Sequence, residues 1–301
     1  MGFLKTLFTG HEETEEEKQE HEDKAQFDVF KYDGIQAMRI GKYDYAIACF
    51  EHALDIKDEA ETQQYYADAL LRKGDIEGAT EALENLHEMQ PEDVQTLLTL
   101  AELYYQQEQY DKMGEACTKA LNIDNTLATP YFIYAKQNKA CGDLINAVAN
   151  ATIAINRHDD FWEAYLLRAQ VLSDMQQYTE AEKDVDHLLD QSAAEENDEE
   201  TDDELLLLKA DICKALGKSD EAKGFYHKVI DINPYSTKAY MQLGDILRNE
   251  GNTIEAAEMV EEGLKYAPEE LQNITGEYTN FEDKMREAFN TLNPFQLSSN
   301  I

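Results

Sequence analysis

Histidine and cysteine are the side chains here best suited to proton transfer, nucleophilic attack and metal ligation, and neither type is grouped. His11, His21, His52, His87, His158, His187 and His227 are dispersed along 301 residues. Cys49, Cys117, Cys141 and Cys213 lie far apart, with no C-x-x-C pair. No Ser/His/Asp or Cys/His grouping recurs locally, although such a triad is assembled in space rather than in sequence. The spacings G-x-x-x-x-G-K-[ST], H-E-x-x-H and G-x-G-x-x-G, which cradle phosphate, hold zinc and bind dinucleotides, do not occur. These residues assign no catalytic group, no cofactor and no enzyme activity. An accessory enzyme with a spatially assembled site is the competing reading.

Carboxylates are the next candidates. The densest run, 195–204, carries eight acids and no base. A calcium loop sets its oxygens at fixed spacing around a glycine. This run has neither, so it is expected to be a solvated acidic loop, and no metal is assigned. The whole chain holds 26 basic and 63 acidic residues, a net charge of −37. Such a field repels nucleic-acid phosphates and anionic lipid headgroups, which excludes both as bulk partners. It suits basic or mixed protein surfaces.

The four cysteines all fall in segments with helical patterning, where a free thiol acts as a small apolar group. They are expected to be reduced, which places the chain in the cytoplasm. No apolar run is long enough to span a bilayer. Residues 1–8 leave one route to a membrane. Phe3, Leu4, Leu7 and Phe8 share a helical face, which suits a membrane-associated adaptor docking through that segment. Gly2 and Thr6 also fit the loose pattern for myristoylation. A frayed terminus is the plain alternative.

The elements that must position any site are marked by a recurring small residue: Gly34, Ala67, Ala101, Ala135, Ala169, Ala210 and Gly244. Successive separations are 33, 34, 34, 34, 41 and 34. A turn is expected seven residues after each, at Gly41, Gly74, Glu108, Gly142, Gln176, Gly217 and Gly251, where glycine tolerates a left-handed helix end. A second small site follows: Ala46, Ala79, Met113, Ala147, Ala181, Ala222 and Ala256. Two antiparallel helices cross closely only where neither side chain projects far. Pro91, Pro234 and Pro268 fall just past the second helix of their units, where proline cannot continue it.

A helix–turn–helix of 34 residues with small, Gly, Ala and Pro markers in this order resembles the tetratricopeptide repeat. Residues 237–270 match best, through Leu243-Gly244, Leu247, Gly251, Ala256 and Pro268. The resemblance implies an all-α, right-handed α-solenoid. Its seven repeats are 27–60, 60–93, 94–127, 128–161, 162–195, 203–236 and 237–270. An acidic, mostly disordered arm, 1–26, is expected before them, with the acidic insert at about 195–204. A capping helix and tail, 271–301, would close the core that an open solenoid end exposes.

The resemblance also implies a noncatalytic protein–protein scaffold or adaptor. Its first helices line a concave groove that takes a peptide segment or partner protein. Carried onto this sequence, the groove positions are Leu98, Tyr105, Phe132, Lys136, Lys139, Leu166, Leu207, Lys214, Met241 and Arg248. Their apolar members suit peptide side chains. The basic members suit an acidic or C-terminal carboxylate ligand, or else offset neighbouring acids such as Asp211 and Asp245. The family's Lys/Asn carboxylate clamp for chaperone tails is not reproduced: its ninth positions are Ile35, Asp68 and Glu102.

Overall fold

A computed structural model describes residues 14–194 and 203–266. Among them are fourteen α-helices and no strand. They fall into two compact units that divide after Gln137. The first unit stacks α1 (Glu15–Arg39) with α2 (Tyr43–Ile56), α3 (Ala60–Lys73) with α4 (Ile76–Met89), and α5 (Val94–Gln106) with α6 (Tyr110–Ile123). Helix α7 (Thr129–Ala140) begins in this unit and ends in the next. The second unit continues with α8 (Leu144–Arg157). It then pairs α9 (Trp162–Asp174) with α10 (Tyr178–Ala194), α11 (Asp203–Ala215) with α12 (Ser219–Ile232), and α13 (Thr237–Asn249) with α14 (Thr253–Tyr266). The architecture is an all-α solenoid of helical repeats.

The turns show why these helices pair. All seven expected turn residues have positive φ, from 58° at Glu108 to 90° at Gly251. In each, the next residue donates its N–H to the carbonyl five residues back, as in Asp75 to Leu70 at 2.9 Å and Gln109 to Tyr104 at 2.8 Å. This is the Schellman arrangement, which satisfies carbonyls the helix end leaves open and reverses the chain. Glu108 and Gln176 adopt the same left-handed backbone without glycine. Side chains at N-caps help start the following helix. Asp75 accepts from the Gly78 N–H at 2.9 Å, and Asp143 from Asn146 at 3.2 Å.

The two sets of small residues lie at the helix crossings. All fourteen are buried, Met113 included. At Gly34 the contact is closest: a Cβ there would sit 2.5 Å from the fully buried Phe50 ring. Phe50 in turn stacks on Tyr65 at 5.9 Å, linking the first helix pair to the second.

Several expectations are corrected. Residues 15–26 are not an irregular arm but the first half of α1. The Thr14 hydroxyl accepts from the Glu17 N–H and the Glu17 carboxylate accepts from the Thr14 N–H, a complete capping box. Pairs such as Lys18–Glu15 at 2.8 Å and Gln19–Asp23 at 2.7 Å add support along the helix. The last residues of the acidic tract, Asp203 and Glu204, open α11, where carboxylates complement the helix N-terminus. Cys141 is exposed in the turn after α7, whereas Cys49, Cys117 and Cys213 are buried in helices. The docking segment 1–8, most of the acidic tract and the closing helix within 271–301 lie outside the described residues.

Candidate functional site

The first-helix positions come together most clearly between α5 and α7. Lys136 on α7 forms an ion pair with Glu102 on α5, thirty-four residues earlier. Its Nζ stands 4.6 Å from the Tyr105 ring centroid and 5.3 Å from that of Phe132. A cation over an aromatic face is held by the ring quadrupole. The Tyr105 ring lies 6.3 Å from Tyr110 on α6, and Leu98 packs partly buried against the core of the unit. Leu98, Tyr105, Phe132 and Lys136 are all half-buried, so each offers both a supported base and an accessible edge. Placement one repeat apart puts Glu102 and Lys136 on equivalent turns of neighbouring helices, which is why they meet.

In the second unit the remaining positions form two further groups. Lys139 donates to the Gln170 carbonyl at 2.6 Å, and Gln170 donates to Glu204 at 2.8 Å. Lys214 on α11 pairs with Asp245 on α13 at 2.5 Å and donates to Gln242 at 2.6 Å. Arg248 reaches the same carboxylate at 2.8 Å. Burial alone would push Asp245 up, but the hydrogen bonds from Lys214 and Arg248 outweigh it and hold the carboxyl below its ordinary range. Leu207 packs partly buried against Leu206, Ala210 and their neighbours, and Met241 is half-buried on α13.

Two corrections follow. Leu166 is only 9% exposed and belongs to the core built with Ala169, Leu172 and Val185, so it offers no binding surface. The stripe's cations are engaged by Glu102, Gln170 and Asp245, so they do not form an array open to an acidic ligand.

Position-by-position transfer missed a set of ion pairs on α9 to α11 whose cations are largely enclosed. Arg168 donates to both Asp184 oxygens at 2.6 and 2.8 Å and to Thr152 at 3.0 Å. Lys209 is buried, and bonds Glu182 at 3.0 Å and Asp186 at 2.5 Å. Arg168 and Lys209 each precede the recurring small residue, where four other repeats place Tyr66, Leu100, Tyr134 or Leu243 and the first places Asp33. A charge at a core-facing position was the available signal. Their role is to tie successive helices together.

One group among the described residues has metal-like spacing: Glu182, Cys213 and Glu221, whose ligand atoms lie within 4.8 Å of one another. It does not fit a cation. Glu182 already accepts from Lys209 and Lys218, whose charges oppose a metal, and burial pushes the Cys213 thiol up. Several of the described histidines pack against other groups. His187 lies 4.4 Å from the Tyr165 ring, His52 5.2 Å from Phe30, and His87 Nε2 3.3 Å from Lys119 Nζ. Burial also pushes the Cys117 thiol up to about 12, leaving it a small apolar group.

A family profile described as the C-terminal ARM domain of tetratricopeptide repeat protein 21 matches residues 122–276, just over half the chain. A tetratricopeptide-repeat profile matches residues 70–112. The chain belongs to the tetratricopeptide-repeat family. Solved tetratricopeptide-repeat structures agree in fold. One from Parabacteroides merdae is 18% identical, with 73% of this chain and 84% of that one aligned at a TM-score of 0.54. The pilF protein of Pseudomonas aeruginosa is 14% identical over 71% and 95%, with a TM-score of 0.56. YrrB, described as a tetratricopeptide-repeat protein with an unusual peptide-binding site, is 21% identical over 63% and 94%, with a TM-score of 0.53. No curated protein matches the chain significantly. Tetratricopeptide repeats are in general protein–protein interaction scaffolds and are typically noncatalytic. No described helix is long and apolar enough to cross a membrane.

Proposed function

We propose that this chain is a noncatalytic cytoplasmic adaptor that holds a peptide segment of a partner protein on the first-helix side chains of α5 and α7. The observation that carries this reading is the packing of Tyr105 and Phe132 against Lys136 of the Lys136–Glu102 pair, with Leu98 one helical turn before Glu102 on α5. Half-buried aromatics supply contact area at low entropic cost, because their few rotatable bonds are already fixed by packing. The paired Lys136 and Glu102 add one donor and one acceptor rather than net charge, so the fitting ligand is mixed or apolar rather than acidic. The peptide-binding description of YrrB supports the same kind of ligand, though from a likeness of fold alone. The free cysteines, three of them buried, support a reducing compartment.

Selection of a random-peptide library on the intact chain tests this directly. Enriched peptides should share one or two aromatic or aliphatic anchors and lose capture when Tyr105 and Phe132 are both replaced by alanine. Enrichment that survives this replacement would contradict the assignment.

A further inference from the structure

The outer face of α1 differs from the same face of every later first helix. Val29 is 57% exposed, and its counterparts one repeat apart are Thr62, Thr96, Pro130, Ala164, Leu205 and Ala239, all buried. That position is the surface each repeat ordinarily lays against its predecessor. On α1 it is continued by Tyr32 at 62% exposure and, at the C-cap, by exposed Ile40. Exposed Tyr45 on α2 flanks it. The counterpart of Tyr45, Lys112, reaches back to Glu84 of the preceding pair at 3.0 Å, so Tyr45 stands at a site that later repeats turn toward their predecessor. On α1 and the start of α2 this surface carries exposed apolar side chains.

Spacing along the face identifies what fits it. Glu22, Ala25, Val29, Tyr32, Gln36 and Arg39 follow one another at intervals of three and four, so they share one face of α1, with Ala25, Val29 and Tyr32 apolar and the flanking positions polar. The stripe is complementary to itself when reversed. Laid antiparallel on a second copy, Val29 meets Tyr32, Ala25 meets Gln36, and Glu22 meets Arg39, each twice about a two-fold axis. Glu22 and Arg39 are both exposed at opposite ends of the stripe. The net charge of −37 opposes association in bulk, but charges more than about 8 Å apart are screened at physiological salt, whereas the paired ends are in contact.

We infer that the chain self-associates through α1, as an antiparallel two-fold pair centred between Val29 and Tyr32. The surface is small, so the dimer is weak and concentration-dependent.

Sedimentation of the full chain over a concentration series tests the inference. The expected mass rises towards twice that of one chain. Val29→Glu with Tyr32→Glu should hold it at one chain, with circular dichroism and melting unchanged because both sites are exposed. Charge exchange identifies the register. Glu22→Arg alone sets two arginines together and Arg39→Glu alone sets two glutamates together, so each should weaken the dimer. The two combined should restore it, an outcome that loss of folding cannot mimic. A full chain that stays monomeric throughout, whether because its own residues 1–13 cover the face or because nothing does, would overturn the proposal. So would a dimer indifferent to the Val29 and Tyr32 changes, or one that the combined exchange fails to restore.

Discussion

Glu102 and Lys136 stand thirty-four residues apart, at the same position of successive repeats, and form an ion pair between α5 and α7. The pair lies on the same stripe as Tyr105 and Phe132, so it both spans two repeats and neutralises the surface on which a ligand would rest. Glu102 retains about a third of its exposure. A double-mutant cycle of Glu102→Gln and Lys136→Met should therefore return a coupling of only about 0.5–1 kcal/mol, reduced by added salt. Melting curves of the four proteins measure it. A salt-independent coupling several times larger would place the pair in a drier setting than described.

The left-handed turns make a sharper stability prediction. Glu108 holds φ at 58° and Gln176 at 61°, where an L side chain is strained. Glu108→Gly should stabilise by about 1 kcal/mol, and Gly74→Ala should destabilise by a similar amount. Chemical denaturation of both variants checks the opposite signs.

Packing at the first helix crossing leaves no room. A methyl at Gly34 would meet the Phe50 ring at 2.5 Å, and Phe50 is fully buried against Tyr65. Gly34→Ala should cost about 1–3 kcal/mol by overpacking, despite the better helix propensity of alanine. Ala135→Leu at the fully buried crossing of α7 should cost a similar amount. An unchanged melting temperature in either variant would contradict the crossing geometry.

Glu59 gives the chain a defined acid limb. Its hydrogen bond from Lys31 outweighs burial, and with those from Thr62 and Lys57 holds the carboxyl at about 2 instead of its ordinary 4.5. Because the folded value is depressed, this stabilisation is complete above the unfolded value and is lost as pH falls from about 4.5 towards 2. Denaturation at successive pH values should show the fall in that window, and Glu59→Gln should flatten it.

Much of the architecture was legible because it rests on periodic necessities. Close crossings demand small residues and chain reversals demand positive φ, so Ala135 or Gly74 announces its place without reference to neighbours. The first half of α1 was obscured by its charge run. Thr14 and Glu17 carry the capping-box spacing that would have revealed it. The site was less legible because its chemistry depends on partners. Transfer by position brought Tyr105, Phe132 and Lys136 together, but whether Lys136 and Lys214 stand open depends on Glu102 and Asp245 across the repeat boundary, and Arg248 is held by Asp245 within its own helix. The identical spacing of Glu102 and Lys136 was the one sequence clue to that pairing. Leu166 is buried in the core cluster with Ala169, Leu172 and Val185, a difference that register alone does not encode.

On the proposed function, α5 and α7 present a peptide-binding surface. Its most direct test is the affinity of one library-selected peptide for the intact chain and for the chain carrying Tyr105→Ala and Phe132→Ala, measured by titration calorimetry. Removing two central aromatic anchors should weaken binding at least about tenfold, the equivalent of roughly 1.4 kcal/mol, with helical content unchanged. Equal affinity for the two proteins would contradict the claim.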